Sequence, residues 1–398
     1  MLDRRDFMKA LGAAGLTPGL TAAALGGPAF EPLTRALVLS GGGARGAYEA
    51  GIIAGLAAKA GVSDGAPLSP YGIVCGTSIG ALNGWFVATG QYTRLRDLWY
   101  GISAENLVRL KPQFAAIRDP ESGVGNRFAS AIRLASLTKN QGALLDSQPV
   151  LDWIARHVDP ETPLLMPLIW VSTNLTMQRA EYFYMRPRGA PAGVPEEVIA
   201  SLQLSLGPNT IVRAATADLL HRQLFASAAV PVAWDPVQMP GPDGSIDQYC
   251  DGGVASNSPV SFAHAVASAA DVILMDPPFE PVTDYTDAVT IGFGVFGTMQ
   301  RKILATDMRN VYFQSVAKNA FARVTDRRAM PNAEHERELA SFMASSVATD
   351  LFFMRPKETL PLGAGAFDDE EGIGKAYRIG WYDAFRGFTA YDWKTFDV

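Results

Sequence analysis

The sequence predicts an α/β fold with three layers, in which helices cover both faces of a largely parallel central sheet. Two short apolar runs, residues 36–40 and 71–75, each enter a glycine-rich turn. The stretches that follow, residues 46–60 and 79–88, are small and apolar and suit closely packed helices. Apolar runs at residues 168–172 and 271–275 predict further buried strands. Strands that alternate with helices favour a parallel sheet.

The composition restricts the classes of protein. The chain has 398 residues, of which 48% are hydrophobic and 19% charged, so it can bury a large core. Its formal net charge of −6 argues against a nucleic-acid binder that neutralises phosphates. With two cysteines and no Cys/His cluster of zinc spacing, the sequence predicts no disulfide scaffold, metal or cofactor.

The first glycine motif, GGGARG, follows the run at residues 36–40. Consecutive glycines between a strand and a helix leave backbone N–H groups free to converge on a negatively charged oxygen. That oxygen could belong to a dinucleotide pyrophosphate or to a tetrahedral acyl intermediate. A dinucleotide site would need a carboxylate at a strand end about twenty residues on, and the nearest candidate there, Asp64, lies in a loop. The motif consists of Gly41, Gly42, Gly43, Ala44, Arg45 and Gly46.

The second motif, Gly76-Thr77-Ser78-Ile79-Gly80, has the G-x-S-x-G pattern of a nucleophile elbow. Flanking glycines let a strand turn sharply into a helix, with the serine hydroxyl at the apex. The alternative is a Gly/Ser-rich helix N-cap. An apolar run before the motif and a helical run after it favour the elbow.

The third motif is Asp251-Gly252-Gly253. An isolated Asp-Gly-Gly is commonly a turn. At the end of a buried strand, the same residues could direct a carboxylate towards Ser78.

Taken together and in this order, the three motifs resemble the patatin-like phospholipase family over residues 34–278. The resemblance implies a patatin-like α/β/α fold and a serine–aspartate dyad, in which Asp251 is the base for Ser78. It also implies an oxyanion hole in the glycine loop, formed by the N–H groups of Gly42 and Gly43, with that of Ala44 as a third candidate. The expected substrate is a lipid or another acyl ester, cleaved as by a phospholipase A, lysophospholipase or esterase.

The sequence divides into a leader, a catalytic domain and an extension. Residues 1–29 carry Arg4-Arg5-Asp6-Phe7-Met8-Lys9 before a weakly apolar run, which is typical of a twin-arginine export signal and predicts a periplasmic or secreted protein. Within the catalytic domain, residues 100–148 mix basic and apolar residues and could form a cap that contacts a membrane surface, or a solvated helical face. Residues 279–398 are expected to form a mainly helical extension packed on the core.

Several alternatives stay open at this point. His264 and His335 follow Asp251 and could complete a Ser-His-Asp triad. The acyl-enzyme could be captured by an alcohol, as in a transacylase, or the chain could be an exported lipid-binding protein. A Cys75–Cys250 disulfide could form in an oxidising compartment. Arg45 could orient the glycine loop or contact a lipid phosphate, and the loop role is favoured.

Overall fold

The computed structural model describes residues 33–102, 107, 109–112, 142–188, 210–276, 288–321, 342–343, 347–367 and 369–396. The predicted leader, residues 1–29, lies outside the described residues, and so does most of the segment 100–148. His335 also lies outside them.

The described residues form one ten-stranded mixed sheet that is mostly parallel. A path of eight strands runs in the order β10-β9-β8-β1-β2-β3-β4-β5, while β7 pairs with both β3 and β6. The strands are β1 (Ala36–Leu39), β2 (Ile73–Thr77), β3 (Leu168–Asn174), β4 (Arg179–Met185), β5 (Thr210–Ala214), β6 (Val237–Pro240), β7 (Ile246–Asp251), β8 (Ala269–Ile273), β9 (Asp350–Met354) and β10 (Thr389–Ala390). This architecture confirms the predicted α/β/α class.

Eight α-helices within the described ranges cover the two faces of the sheet. They are α1 (Gly46–Ala60), α2 (Ile79–Ala88), α3 (Tyr92–Tyr100), α4 (Gln148–His157), α5 (Leu220–Ala228), α6 (Val260–Val266), α7 (Ala288–Phe321) and α8 (Glu370–Arg386). Strand β1 shows how the layers arise, because its successive side chains point to opposite faces. Leu37 and Leu39 join the core with α1–α5 and α8. Ala36 and Val38 join the core with α6 and α7.

Strand β3 brings two distant parts of the chain together. Its first half pairs in parallel with β2, and its last three residues pair antiparallel with β7. Val171 lies opposite Thr77, and the next residue, Ser172, lies opposite Asp251. The end of β2 and the end of β7 therefore meet at neighbouring positions of one strand.

The C-terminal segment contributes more than helices. Strands β9 and β10 extend the sheet, since β9 pairs in parallel with β8. Helix α8 packs closely on α1, and the hydroxyl of buried Tyr48 donates a 2.9 Å hydrogen bond to Asp383. The expected helical extension over residues 279–398 is thus partly sheet, and it completes the core around β1.

Both cysteines are free and buried, so the Cys75–Cys250 disulfide considered above does not form. Burial raises the pKa of both thiols, that of Cys250 to about 12, which keeps them protonated. No helix among the described residues has the length and apolar character needed to cross a bilayer.

Candidate active site

Ser78 occupies the sharp turn between β2 and α2. Its backbone has φ = +55°, a conformation that is strained for a residue with a side chain and is found at functional turns. The turn is tight because glycines flank it. A Cβ at Gly76 would lie 2.5 Å from the carbonyl oxygen of Gly80, and one at Gly80 would lie 2.5 Å from that of Leu39. This is the geometry that the G-x-S-x-G pattern predicts.

A second serine holds this turn in place. The backbone N–H of Ser78 donates a 2.9 Å hydrogen bond to the hydroxyl of Ser227, which in turn donates to the carbonyl oxygen of Val171 at 2.6 Å. Ser227 is fully buried and lies near the end of α5. Sequence reasoning missed its role, because a buried serine near a helix end has no distinctive local pattern.

Asp251 is fully buried at the end of β7 and heads the short 3-10 helix Gly252–Val254. Burial raises the pKa of its carboxyl to about 6, although the Ser78 hydroxyl and the N–H of Gly253 lower it. Gly253 donates a 2.7 Å hydrogen bond to Oδ1. Oδ2 is buried and has no full hydrogen bond to the described residues. The contact with Ser78 is therefore close but incomplete, as is common in catalytic pairs without substrate.

The glycine loop lies against the serine turn, since a Cβ at Gly41 would be 3.3 Å from Cβ of Ser78. Two of its N–H groups are already used. Gly41 donates to the carbonyl of Asn257 at 3.1 Å, and Ala44 donates to that of Ala364 at 2.8 Å. The N–H groups of Gly42 and Gly43 donate to none of the described residues.

The loop conformation depends on Gly43, which has φ = +59° and directly faces the carbonyl of Ala364. Ala44 was the third candidate for the oxyanion hole, but its N–H already donates to that same carbonyl. Within the described loop, the N–H groups of Gly42 and Gly43 are thus the donors left for an oxyanion.

Arg45 binds protein groups. Its guanidinium donates to the carboxylate of Asp276, just after β8, and at 3.3 Å to the carbonyl oxygen of Leu362. Arg301 of α7 approaches the same carboxylate at 3.6 Å. These contacts fix the glycine loop to β8 and the C-terminal segment, and they are those of the favoured loop-orienting role.

A buried polar chain stands behind the loop. Asn83 of α2 donates to Glu49 at 2.7 Å and to the carbonyl oxygen of Gly46 at 3.1 Å, and it accepts from Trp99 at 2.9 Å. Glu49 is fully buried on α1. Desolvation raises the pKa of its carboxyl to about 8, against the lowering effect of hydrogen bonds from Asn83 and from the backbone of Ser40.

His264 lies on α6 and is bound to groups outside the dyad. Its Nδ1 is 3.1 Å from the hydroxyl of Thr349, and its Nε2 is 3.3 Å from Oε1 of Gln314. Burial lowers the pKa of the ring to about 4, with Lys318 adding to the decrease. The described structure thus places His264 in a buried packing role, away from a triad with Ser78.

The described residues contain no group of three or more His, Cys, Asp or Glu side chains that could hold a metal ion. Asp64, the carboxylate considered for a dinucleotide, accepts the backbone N–H of Thr93 at 3.0 Å near the start of α3.

The fold and this geometry define a class: α/β proteins with a serine on a strand–turn–helix and a buried aspartate beside it. The model of the patatin-like phospholipase family matches residues 37–264, more than half of the chain, and the chain belongs to this family. The family comprises hydrolases of lipid esters. The matched residues include Ser78 and Asp251 but end before α7.

Among solved structures, the chain is similar to VipD from Legionella pneumophila, with 15% identity and a TM-score of 0.36. That alignment covers 91% of this chain and 68% of VipD. A search of the curated proteins finds no match.

Proposed function

We propose that this chain cleaves carboxylic esters of lipids through an acyl-enzyme on Ser78, with Asp251 as the general base. The observation that carries the proposal is the register of β3, which sets the strained serine turn beside a fully buried aspartate. A carboxylate at its ordinary pKa is a weak base for an alcohol, and burial strengthens it.

In the proposed reaction, Ser78 Oγ attacks the ester carbonyl while its proton passes to Asp251. The N–H groups of Gly42 and Gly43 donate to the developing oxyanion, which such preorganised donors stabilise strongly. Asp251 then gives the proton to the leaving alcohol. Water hydrolyses the acyl-enzyme in the second half of the cycle, with Asp251 again as the base.

The test is hydrolysis of a chromogenic acyl ester by the wild type, Ser78→Ala, Asp251→Asn and His264→Gln. We expect the first two variants to fall to background and His264→Gln to keep most of the activity. Equal background from all four proteins would favour the lipid-binding alternative. A loss of about a thousandfold in His264→Gln, of the size seen when a triad member is removed, would instead restore the triad.

We also propose that the protein is exported and contacts a lipid surface. Residues 1–29 would direct twin-arginine export, and the mass of the mature N-terminus, compared with that of Arg5→Lys, tests this.

The segment 100–148 would contact an anionic lipid surface. Arg109 and Lys111 are paired with Asp146 and Asp235. Lipid contact therefore depends on the other basic residues of that segment: Arg118, Arg127, Arg133 and Lys139. Sedimentation with anionic and neutral vesicles tests that contact.

A further inference from the structure

Three polar side-chain atoms converge above Gly253, next to the proposed base. A Cβ built on Gly253 would lie 2.9 Å from Oδ1 of Asp251 and 3.1 Å from Oδ1 of Asn257, with Nε2 of Gln300 closer still. Gln300 comes from α7, outside the residues that the family model matches. The helix thus brings an amide to the dyad from a part of the chain that none of the three motifs contains.

This cluster has unused hydrogen-bonding capacity. Asn257 is 3% exposed, yet its Oδ1 is buried with no hydrogen bond to any described residue. Oδ2 of Asp251 is in the same state. Among the described residues, none accepts a hydrogen bond from Nε2 of Gln300. Buried polar groups are normally paired, so two buried acceptors without partners, beside the amide donor of half-buried Gln300, indicate a small polar ligand.

The cluster also faces the nucleophile. Oδ1 of Asn257 lies 2.6 Å from the position of a Cβ on Gly41, which itself would be 3.3 Å from Cβ of Ser78. The backbone of Asn257 is held by the 3.1 Å hydrogen bond from Gly41. A molecule bound between these groups would therefore be near the carbon of an acyl group on Ser78.

We propose that Asn257 and Gln300 hold the attacking water of deacylation against Asp251, an inference that rests on the proposed function. The water has two O–H donors, for Asp251 and for Oδ1 of Asn257, and its oxygen can accept from Nε2 of Gln300. It attacks the acyl carbonyl and gives one proton to Asp251. Collapse of the tetrahedral intermediate breaks the bond to Ser78 Oγ, which takes that proton back and releases the carboxylic acid.

The experiment compares acylation with deacylation in Gln300→Leu, which keeps the side-chain size but removes the donor. Asn310→Leu is the matched control, because Asn310 is an exposed amide residue on the same helix. With a p-nitrophenyl acyl ester the leaving group needs no proton, and Ser78 needs only Asp251 as its base, so acylation does not depend on Asn257 or Gln300. Stopped-flow release of nitrophenol measures acylation, and intact mass after quenching measures the acyl-enzyme.

We expect Gln300→Leu to show a burst of nitrophenol and a steady-state rate about 10- to 100-fold lower, with acylated Ser78 accumulating. Asn257→Ala should behave in the same way, while Asn310→Leu should match the wild type. Titration with a fluorophosphonate corrects each rate for the fraction of folded sites. Unchanged deacylation in Gln300→Leu, or equal loss in both steps, overturns the inference. If the wild type forms no adduct on Ser78, the proposed function falls as well.

Discussion

The hydroxyl of Ser227 accepts the backbone N–H of Ser78 at 2.9 Å and donates to the carbonyl of Val171 at 2.6 Å. Both residues are buried, and Ser78 has a positive φ. A strained turn persists only where its surroundings hold it. This hydroxyl ties the turn to β3, whose Ser172 lies opposite Asp251 of β7. The relationship thus links the nucleophile to the base through β3.

Replacing Ser227 by alanine should lower kcat by about tenfold or more, because the unpaired N–H lets the turn relax away from Asp251. Leaving a buried donor without a partner should also lower the free energy of unfolding by about 1–3 kcal/mol. Ser172→Ala is the matched control, since that buried hydroxyl has no hydrogen-bond partner among the described residues. Ester kinetics and denaturant unfolding measure the two effects. Equal behaviour of the two variants would contradict this role.

The raised pKa of Asp251 predicts a pH profile. A base must be unprotonated, so kcat/KM should rise about tenfold per pH unit below about pH 6 and level off above it. Rates measured from pH 4 to pH 9, with enzyme shown to be folded at each pH, check this. A midpoint near the ordinary aspartate pKa of about 4 would show that burial does not tune the group.

The same pKa shift has the opposite effect on stability. The folded state holds its proton up to about pH 6, whereas the unfolded chain releases it near pH 4. The contribution of Asp251 is therefore present at low pH and lost as pH rises through about 6. Asp251→Asn should unfold less readily than the wild type at pH 8, by at most about 3 kcal/mol, while losing activity. The exposed Asp243→Asn should show no such gain.

How far the sequence predicts the molecule depends on the range of each interaction. The predicted helices 46–60 and 79–88 match α1 and α2, because glycine motifs mark their starts and the chemistry there is local. The pair Ser78–Asp251 came from the resemblance to a family, and β3 supplies the physical reason for it. Strand β9 was missed because five residues of mixed burial carry little periodicity.

The sequence does not predict which groups contact the polar side chains of Ser227, Asn83 and Gln300. A buried serine or amide has no local pattern, and its partner is set by how helices pack on the sheet. Gln300 is 49 residues beyond Asp251, on a helix whose side chains reach the base only after β8 and α7 are in place. Burial of Glu49 by tertiary packing likewise raises the pKa of its carboxyl, which no local pattern predicts.

Glu49 supplies a prediction that separates charge from shape. With a pKa of about 8 its carboxyl is neutral in the folded protein at pH 7, so Glu49→Gln should be close to wild type in activity there. The unfolded chain releases this proton near pH 4, whereas the folded state holds it up to about pH 8. The stability that the neutral carboxyl contributes is therefore lost as pH rises through that range, and Glu49→Gln should become the more stable protein. Thermal unfolding at pH 4, where the two proteins should be equally stable, and at pH 9 measures this, with the exposed Glu371→Gln as control. A variant that is equally destabilised at both pH values would show that the carboxyl is ionised throughout.

Replacing a glycine by alanine should have opposite effects on stability at two sites: Gly51, where α1 contacts α8, and Gly297, inside α7. A Cβ at Gly51 would overlap the carbonyl oxygen of Tyr377, and backbone cannot move aside as a flexible side chain can. Gly51→Ala should therefore separate α8 from α1 and cost about 1–3 kcal/mol or more, as overpacking does.

A Cβ at Gly297, inside α7, would meet no atom of the described residues within 4 Å beyond its own stretch of helix. Gly297→Ala should thus gain about 0.5–1 kcal/mol from helix propensity alone. Urea unfolding of both variants tests the pair. Because α8 packs on the helix that follows the glycine loop, Gly51→Ala should also lower kcat, and Gly297→Ala should leave it unchanged. A Gly51→Ala protein as stable and active as the wild type would show that this close packing is dispensable for holding the loop.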